Sequence, residues 1–277
     1  MEIPSRTVRS PFLGFEFDVL EGDRIIGPAI ERGVWEEHET RLFQAHLREG
    51  ARVVDLGANI GWYSTLAVLA GCEVHAFEPV PAIAEVCQRN LERAMEHGSG
   101  RATLHRCAAG AETATATIAI GAGNFGDNRV LDGTQRPDDM GDGATIQIDI
   151  GRVDDYVSGP ARVLKVDTQG SEFLALRGAR DLLAASPELA LLIEFWPYAL
   201  RGATPQELLE LLTGSGFTLG KATAAPYPMT PARILRQASD RDPVKGGIDL
   251  YGTRGLPFHV GGLSTRLRAL ARSLRED

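Results

Sequence analysis

From residue 52 to residue 197, short apolar runs rich in β-branched residues alternate with stretches of helical period, and few folds accommodate that alternation. RVVDLGA, CEVHAFEP and ATLHRCAAG read as strands. Helices are predicted at residues 61–70 and over PAIAEVCQRNLERAMEH, where Pro81 suits a first helical position. The scheme resumes with the strand RVLKVDTQG, the helix SEFLALRGARDLLAAS and the strand LALLIEFWP. The helix TPQELLELLTGSG and strands near FTLGKAT and GIDLYGT follow. Strands joined through helices need right-handed crossovers, so an α/β architecture with a mostly parallel sheet is expected. The texture changes between Ala111 and Ile150, where TATATIAIG and ATIQIDIG read as strands around a long polar segment. Ahead of the alternating region, residues 11–30 read as a hairpin turning at Gly22-Asp23. WEEHETRLFQAHLREG reads as a helix stopped by Gly50, with His46 on its apolar face.

Composition narrows the function classes. A formal net charge of −8 over 277 residues repels phosphate backbones, which counts against a nucleic-acid partner and favours a small or neutral substrate. Cys72, Cys87 and Cys107 lack metal-ligand spacing, and so sparse a set suggests reduced thiols in a cytoplasmic protein. The opening MEIPSRTVRS has no long apolar stretch of the secretory kind. ELALLIEFWPYAL, the longest apolar run, is too short to span a bilayer and carries Glu194, so no membrane partner is expected. STRLRALARSLRED predicts a C-terminal surface helix with Leu267, Leu270, Ala271 and Leu274 on one face.

The stretch VVDLGANIGWYS has the form of a strand, a glycine turn and a helix start. In open α/β sheets ligands bind beyond the carboxyl ends of the strands, at such a turn. Gly57 and Gly61 let the backbone pass close to a ligand, and the helix N-terminus offers N–H groups to an anion. Glu78 closes the next strand, where an acid grips ribose hydroxyls. A dinucleotide fingerprint would place glycine where Asn59 stands. Asp55 at the mouth of the turn is awkward for pyrophosphate and suits a ligand with a positive amino group, as S-adenosylmethionine has.

A second acidic stretch, KVDTQGSE, places Asp167 at the carboxyl edge of the sheet, with Glu172 in the following helix. Glu194 falls at the corresponding end of the next strand. Crowded, partly buried carboxylates have raised proton affinity and serve as general bases; the same oxygens suit Mg²⁺, with Asp167 and Glu194 as its ligands. Both roles stay open on sequence alone. Lys165 is placed to pair with one of these acids. In GNFGDNRV, Asn124 and Arg129 are candidates to contact the acceptor or cofactor, and Trp196 and Tyr198 to wall an acceptor pocket. His46 is an outside candidate for the base.

VVDLGANIGWYSTLA, VHAFEPVP, GNFGDNRV, LKVDTQGSEFLALRGA and LLIEFWP together resemble the FkbM-type S-adenosylmethionine-dependent methyltransferases. The resemblance runs from about Trp35 to Pro197 and includes a Trp-Glu pair, here Trp35 and Glu36, ahead of the first strand. It implies a class I methyltransferase (Rossmann-like) fold: a seven-stranded, mostly parallel sheet whose last two strands form an antiparallel hairpin, with helices on both faces. The expected organisation is an N-terminal hairpin extension at 1–34, the methyltransferase domain at 35–260 and the C-terminal helix at 261–277. Carried over by position, Asp55, Gly57, Ala58, Asn59 and Gly61 would line the methionine end of the cofactor. Glu78 would take the ribose, Pro79 would shape the adenine side and Ala108 would flank adenine. The activity implied is O-methylation of a hydroxyl on a sugar or natural product. The alternatives are N-methylation of a small amine or peptide, and a non-catalytic or NAD-binding protein of the same fold.

Overall fold

The computed structural model describes residues 3–121, 123–131, 144–238 and 247–258. Part of the polar insertion and the C-terminal helix expected at 261–277 lie outside the described residues. A hairpin of β1 (Ser5–Arg9) and β2 (Glu16–Leu20) precedes α1 (Ile26–Arg32) and α2 (Glu37–Gln44). Then come β3 (Arg52–Leu56), α3 (Trp62–Leu69), β4 (Glu73–Phe77), α4 (Pro81–His97) and β5 (Arg101–His105). The insertion contributes β6 (Ala108–Ala109), β7 (Ala114–Ala119), β8 (Arg129–Leu131) and β9 (Thr145–Gly151). The chain returns through β10 (Val163–Val166), α5 (Glu172–Arg177), α6 (Arg180–Ala185) and β11 (Leu189–Phe195). It continues with α7 (Pro205–Gly214), β12 (Thr218–Lys221), α8 (Pro231–Ala238) and β13 (Ile248–Arg254).

Seven strands form the main sheet in the order β12-β13-β11-β10-β3-β4-β5, and β13 alone is reversed relative to the other six. β6, β9, β7 and β8 form a second sheet of their own. The central strands are buried on both faces. Val53 and Leu192 pack into one core with α3, α4 and the N-terminal hairpin; Val54, Leu191 and Ile193 pack into the other with α5 to α8. That period of two explains their unbroken apolar runs. Each such side chain contributes about 1.5–3 kcal/mol by leaving water. The chain leaves β3 towards β4 and β5 on one side, and β10 towards β11 on the other. The β3/β10 seam is therefore the switch point where a crevice must open.

Three local expectations are corrected. The hairpin lies earlier than residues 11–30, because Gly14 takes a positive φ of 81° and Ser10 Oγ accepts the Leu13 N–H, turning the chain there. Asp23 instead accepts the Ile25 and Gly27 N–H groups and starts α1. The helix after Trp35 ends at Gln44, short of Gly50. SEFLALRGARDLLAAS breaks into α5 and α6 because Gly178 presses on the second sheet: a Cβ there would lie 1.9 Å from the Gly110 carbonyl oxygen.

The hairpin is tied to the site by Asn90 of α4. Its side chain exchanges hydrogen bonds with the Asp18 backbone and donates to the Ile60 carbonyl at 2.8 Å, behind the glycine turn. Burial opposes the charge on Asp18, yet Arg93 and Arg89, both at 2.7 Å, hold its carboxyl below the ordinary value.

Candidate active site

A cavity of about 600 Å³ opens where β3, β4, β10 and β11 end. At one side is the turn after β3, which is self-contained. Gly57 and Ala58 both donate to the Phe77 carbonyl, at 3.0 and 2.9 Å. The Asn59 N–H donates to Glu78 Oε2 at 3.0 Å, Ile60 N–H to Asn59 Oδ1, and Gly61 N–H to the Ala58 carbonyl. Every amide from Gly57 to Gly61 is thus satisfied inside the protein, and none is left for a pyrophosphate. That agrees with the expectation that Asp55 and Asn59 make the turn a poor cradle for pyrophosphate, and Asn59 closes part of it itself. It adopts the left-handed conformation, φ 51°, which asparagine tolerates because its short side chain bonds locally. Its Nδ2 also donates to the Phe125 carbonyl at 2.8 Å, drawing the insertion loop over the cavity.

The predicted cofactor residues divide into two groups. Gly57, Ala58, Asn59, Glu78, Pro79 and Ala108 line the cavity. Asp55 and Gly61 do not. Asp55 is buried and accepts from Ser64 Oγ at 2.7 Å, and burial pushes its carboxyl up. Gly61 starts α3 with φ 87°, and a Cβ there would meet Cys87 Sγ at 3.0 Å, so it serves packing against α4. Glu78 is buried and faces the cavity beside the turn. Its Oε1 accepts the Val80 N–H at 2.9 Å, and desolvation raises its carboxyl to about 7 against those backbone bonds.

The other side of the cavity is acidic. The Asp167 carboxylate accepts from Lys165 Nζ at 2.9 Å and from Gln169 Nε2 at 2.8 Å, with an edge still open to the cavity. Lys165 sits over the Tyr63 ring at 4.7 Å, and the Tyr63 hydroxyl donates to Glu36 Oε2 at 2.6 Å. Glu36, Glu194 and Asp249 complete this wall. Burial pushes all three carboxyls up, Asp167 adds repulsion, and Lys165 offsets part of the effect. Attraction to several acids raises the affinity of Lys165 for its proton despite burial.

Glu172 lies behind this wall. Its Oε1 accepts from Thr168 N–H, Thr168 Oγ1 and Gly170 N–H, so it braces the turn that presents Asp167. His46 is buried away from the cavity, with Nε2 2.6 Å from the Tyr251 hydroxyl, and burial lowers its pKa to about 4. Asn124, Arg129, Trp196 and Tyr198 all line the cavity. Arg129 pairs bidentately with Asp127 and stacks over Trp196 at 4.3 Å, joining the loop to β11. Tyr63 and Asp249 escaped the sequence reading. Tyr63 stands inside the quoted turn motif, and Asp249 is an acid within an apolar strand, a signal available in GIDLYGT.

The donor set does not fit Mg²⁺. Asp167 is already held by Lys165 and Gln169, and among the described residues no three His, Cys, Asp or Glu side chains converge on one ion. Among the described residues no helix is long and apolar enough to cross a membrane.

The methyltransferase FkbM domain model matches residues 55–219. No curated protein matches the chain. Among solved structures, magnesium protoporphyrin IX methyltransferase of Synechocystis PCC 6803 with bound SAM is 12% identical, with a TM-score of 0.45 over 83% of this chain and 84% of that one. A TehB-like SAM-dependent methyltransferase of Corynebacterium glutamicum is 13% identical, with a TM-score of 0.41 over 78% and 87%. An rRNA methylase of Streptococcus thermophilus is 13% identical, with a TM-score of 0.42 over 79% and 95%.

Proposed function

This chain belongs to the methyltransferase FkbM family, whose members depend on S-adenosylmethionine, and from that premise we propose that it methylates a hydroxyl of a small molecule, a sugar or a natural product. One observation carries the reading. Asp167 touches both halves of the cavity: its backbone carbonyl packs on Gly57 of the glycine turn, while its carboxylate faces the acidic side.

The residues present fit the cofactor. Gly57 leaves no room for a Cβ at the turn, and Glu78 presents a buried carboxylate for a ribose diol. Ala58, Asn59, Pro79 and Ala108 would line its amino-acid and adenine ends. When bound, S-adenosylmethionine supplies a methyl group already activated by its sulfonium. The protein's tasks are then alignment of the acceptor and removal of its proton. Asp167 takes that proton, with Lys165 and Gln169 fixing its carboxylate, while Glu172 braces the turn beneath. Trp196, Asn124 and Arg129 wall the acceptor's position. The acidic lining supports a neutral or positively charged small acceptor over a phosphate backbone.

Turnover with labelled S-adenosylmethionine and a panel of hydroxylated metabolites tests this reading, with and without a chelator. Transfer to a hydroxyl compound, unchanged by the chelator, is expected; chelator-sensitive turnover would restore a metal role.

A pH dependence follows from Glu78. Ribose hydroxyls donate to its carboxylate, so binding favours the ionised form and releases the proton that burial retains up to about pH 7. Cofactor affinity is expected to be flat well above pH 7 and to weaken below it, by up to about tenfold per pH unit. Calorimetry from pH 5.5 to 8.5 checks this, and Glu78→Gln should flatten the profile.

A further inference from the structure

In the antiparallel pairing of β11 with β13, Glu194 stands directly opposite Asp249. Directly opposed residues share a face of the sheet with Cβ atoms about 4.5–5.5 Å apart, and like charges there are destabilising. Both carboxyls line the main cavity and also a smaller side chamber of about 190 Å³. The charged groups bearing on the pair are Lys165 and Asp167 from β10 and its turn, Glu172 from α5, Glu36 just before α2, Glu39 from α2 and Lys221 from β12. Lys165 is engaged with Asp167 at 2.9 Å, and Lys221 is exposed on β12.

Two atoms of opposite character lie unused beside the pair. Glu194 Oε2 is a buried acceptor and Trp196 Nε1 a buried donor, each with no hydrogen-bond partner among the described residues. Buried polar atoms without partners are costly, and Glu194 and Trp196 both line the two chambers, so the pair points to a ligand that satisfies both. The acceptor in a like-charge pair calls for a cationic donor, and the indole N–H calls for an oxygen close by.

We propose that Glu194, Asp249 and Trp196 form a subsite for a protonated amine with a neighbouring oxygen, so that the methyl acceptor is an amino-bearing hydroxyl compound such as an amino sugar. The assignment rests on the reading of the cavity as that of a small-molecule O-methyltransferase. The sulfonium of the cofactor is the competing cation, and sheet order argues against it. β11 and β13 lie two and three strands from β3, so at about 4.8 Å per strand the pair stands about 10–14 Å across the sheet from the glycine turn.

The test uses the smallest probe carrying both groups, 2-aminoethanol, against the uncharged diol ethylene glycol of similar size. The readout is the isotope-labelled indole N–H resonance of Trp196, identified with Trp196→Phe. Titration with 2-aminoethanol is expected to shift that resonance saturably, at least about tenfold more tightly than the diol. The near-isosteric double variant Glu194→Gln/Asp249→Asn should abolish the response and keep S-adenosylmethionine affinity within about threefold, which also shows that it folds. Equal responses to both probes, no response to either, or a response that survives in the variant would overturn the proposal. So would a tighter response to MgCl₂, or a variant that loses cofactor binding. Failure of the wild-type protein to bind S-adenosylmethionine or S-adenosylhomocysteine would sink the methyltransferase reading instead, whatever the amine result.

Discussion

Asp167→Asn should lower kcat by about a hundred- to ten-thousand-fold, the usual contribution of a positioned general base. Asparagine keeps the size of the side chain and can still meet Gln169, but it has no charge to take the acceptor's proton. It also leaves Lys165, 93% removed from solvent, without its nearest counter-charge, so a modest loss of stability should accompany the loss of turnover. Affinity for S-adenosylmethionine should change only a few-fold, because Asp167 meets the glycine turn through its backbone carbonyl. Single-turnover kinetics beside calorimetry separate the two effects. If kcat at saturating cofactor survived while cofactor affinity fell a hundredfold or more, Asp167 would serve the cofactor and the base would lie elsewhere on the acidic wall.

Gly57→Ala is expected to abolish detectable cofactor binding, a loss of a hundredfold or more. The residue has φ 83°, and a Cβ there would sit 1.8 Å from the Asp167 carbonyl oxygen. That atom belongs to backbone, fixed by the hydrogen bond from Asp167 N–H to the Leu56 carbonyl at 2.9 Å. Relief requires the ends of β3 and β10 to separate, which moves the turn and the Asp167 carboxylate together. A stability loss of about 1–3 kcal/mol should accompany it, the usual cost of a forced backbone conformation. Gly14→Ala is the control, since Gly14 has φ 81° with no atom within 4 Å of its missing Cβ. It should lower the melting temperature slightly and leave cofactor affinity alone. Equal effects on binding from the two variants would mean that backbone strain, not the close approach, governs the site.

The elements that position the site were legible where local physics decides them. Pro81 and an amphipathic period fixed α4 from Pro81 to His97 to the residue. The apolar runs of β3, β10 and β11 followed from burial on both faces. Features set by distant partners were not legible. The break at Gly178 depends on Gly110, which follows β6 far away in the sequence. The hairpin was misplaced because two glycine turns compete over a few residues, and the capping of α1 by Asp23 decides between them. At the site, Asp167 and Glu194 were recognisable as acids ending apolar strands. Asp249 joins them only because β13 inserts beside β11, an order that no local pattern encodes. Asn59 was noticed as a missing glycine, whereas its use in closing the turn's own amides needed the structure.

The destination of the methyl group decides whether a hydroxyl is the acceptor. The enzyme is incubated with methyl-labelled S-adenosylmethionine and a panel of polyols, sugars, amino sugars and simple amines, and the atom carrying the label is identified by carbon NMR. Label is expected on an oxygen, forming a methyl ether, with amino sugars the best acceptors. Label on nitrogen or carbon would contradict that expectation.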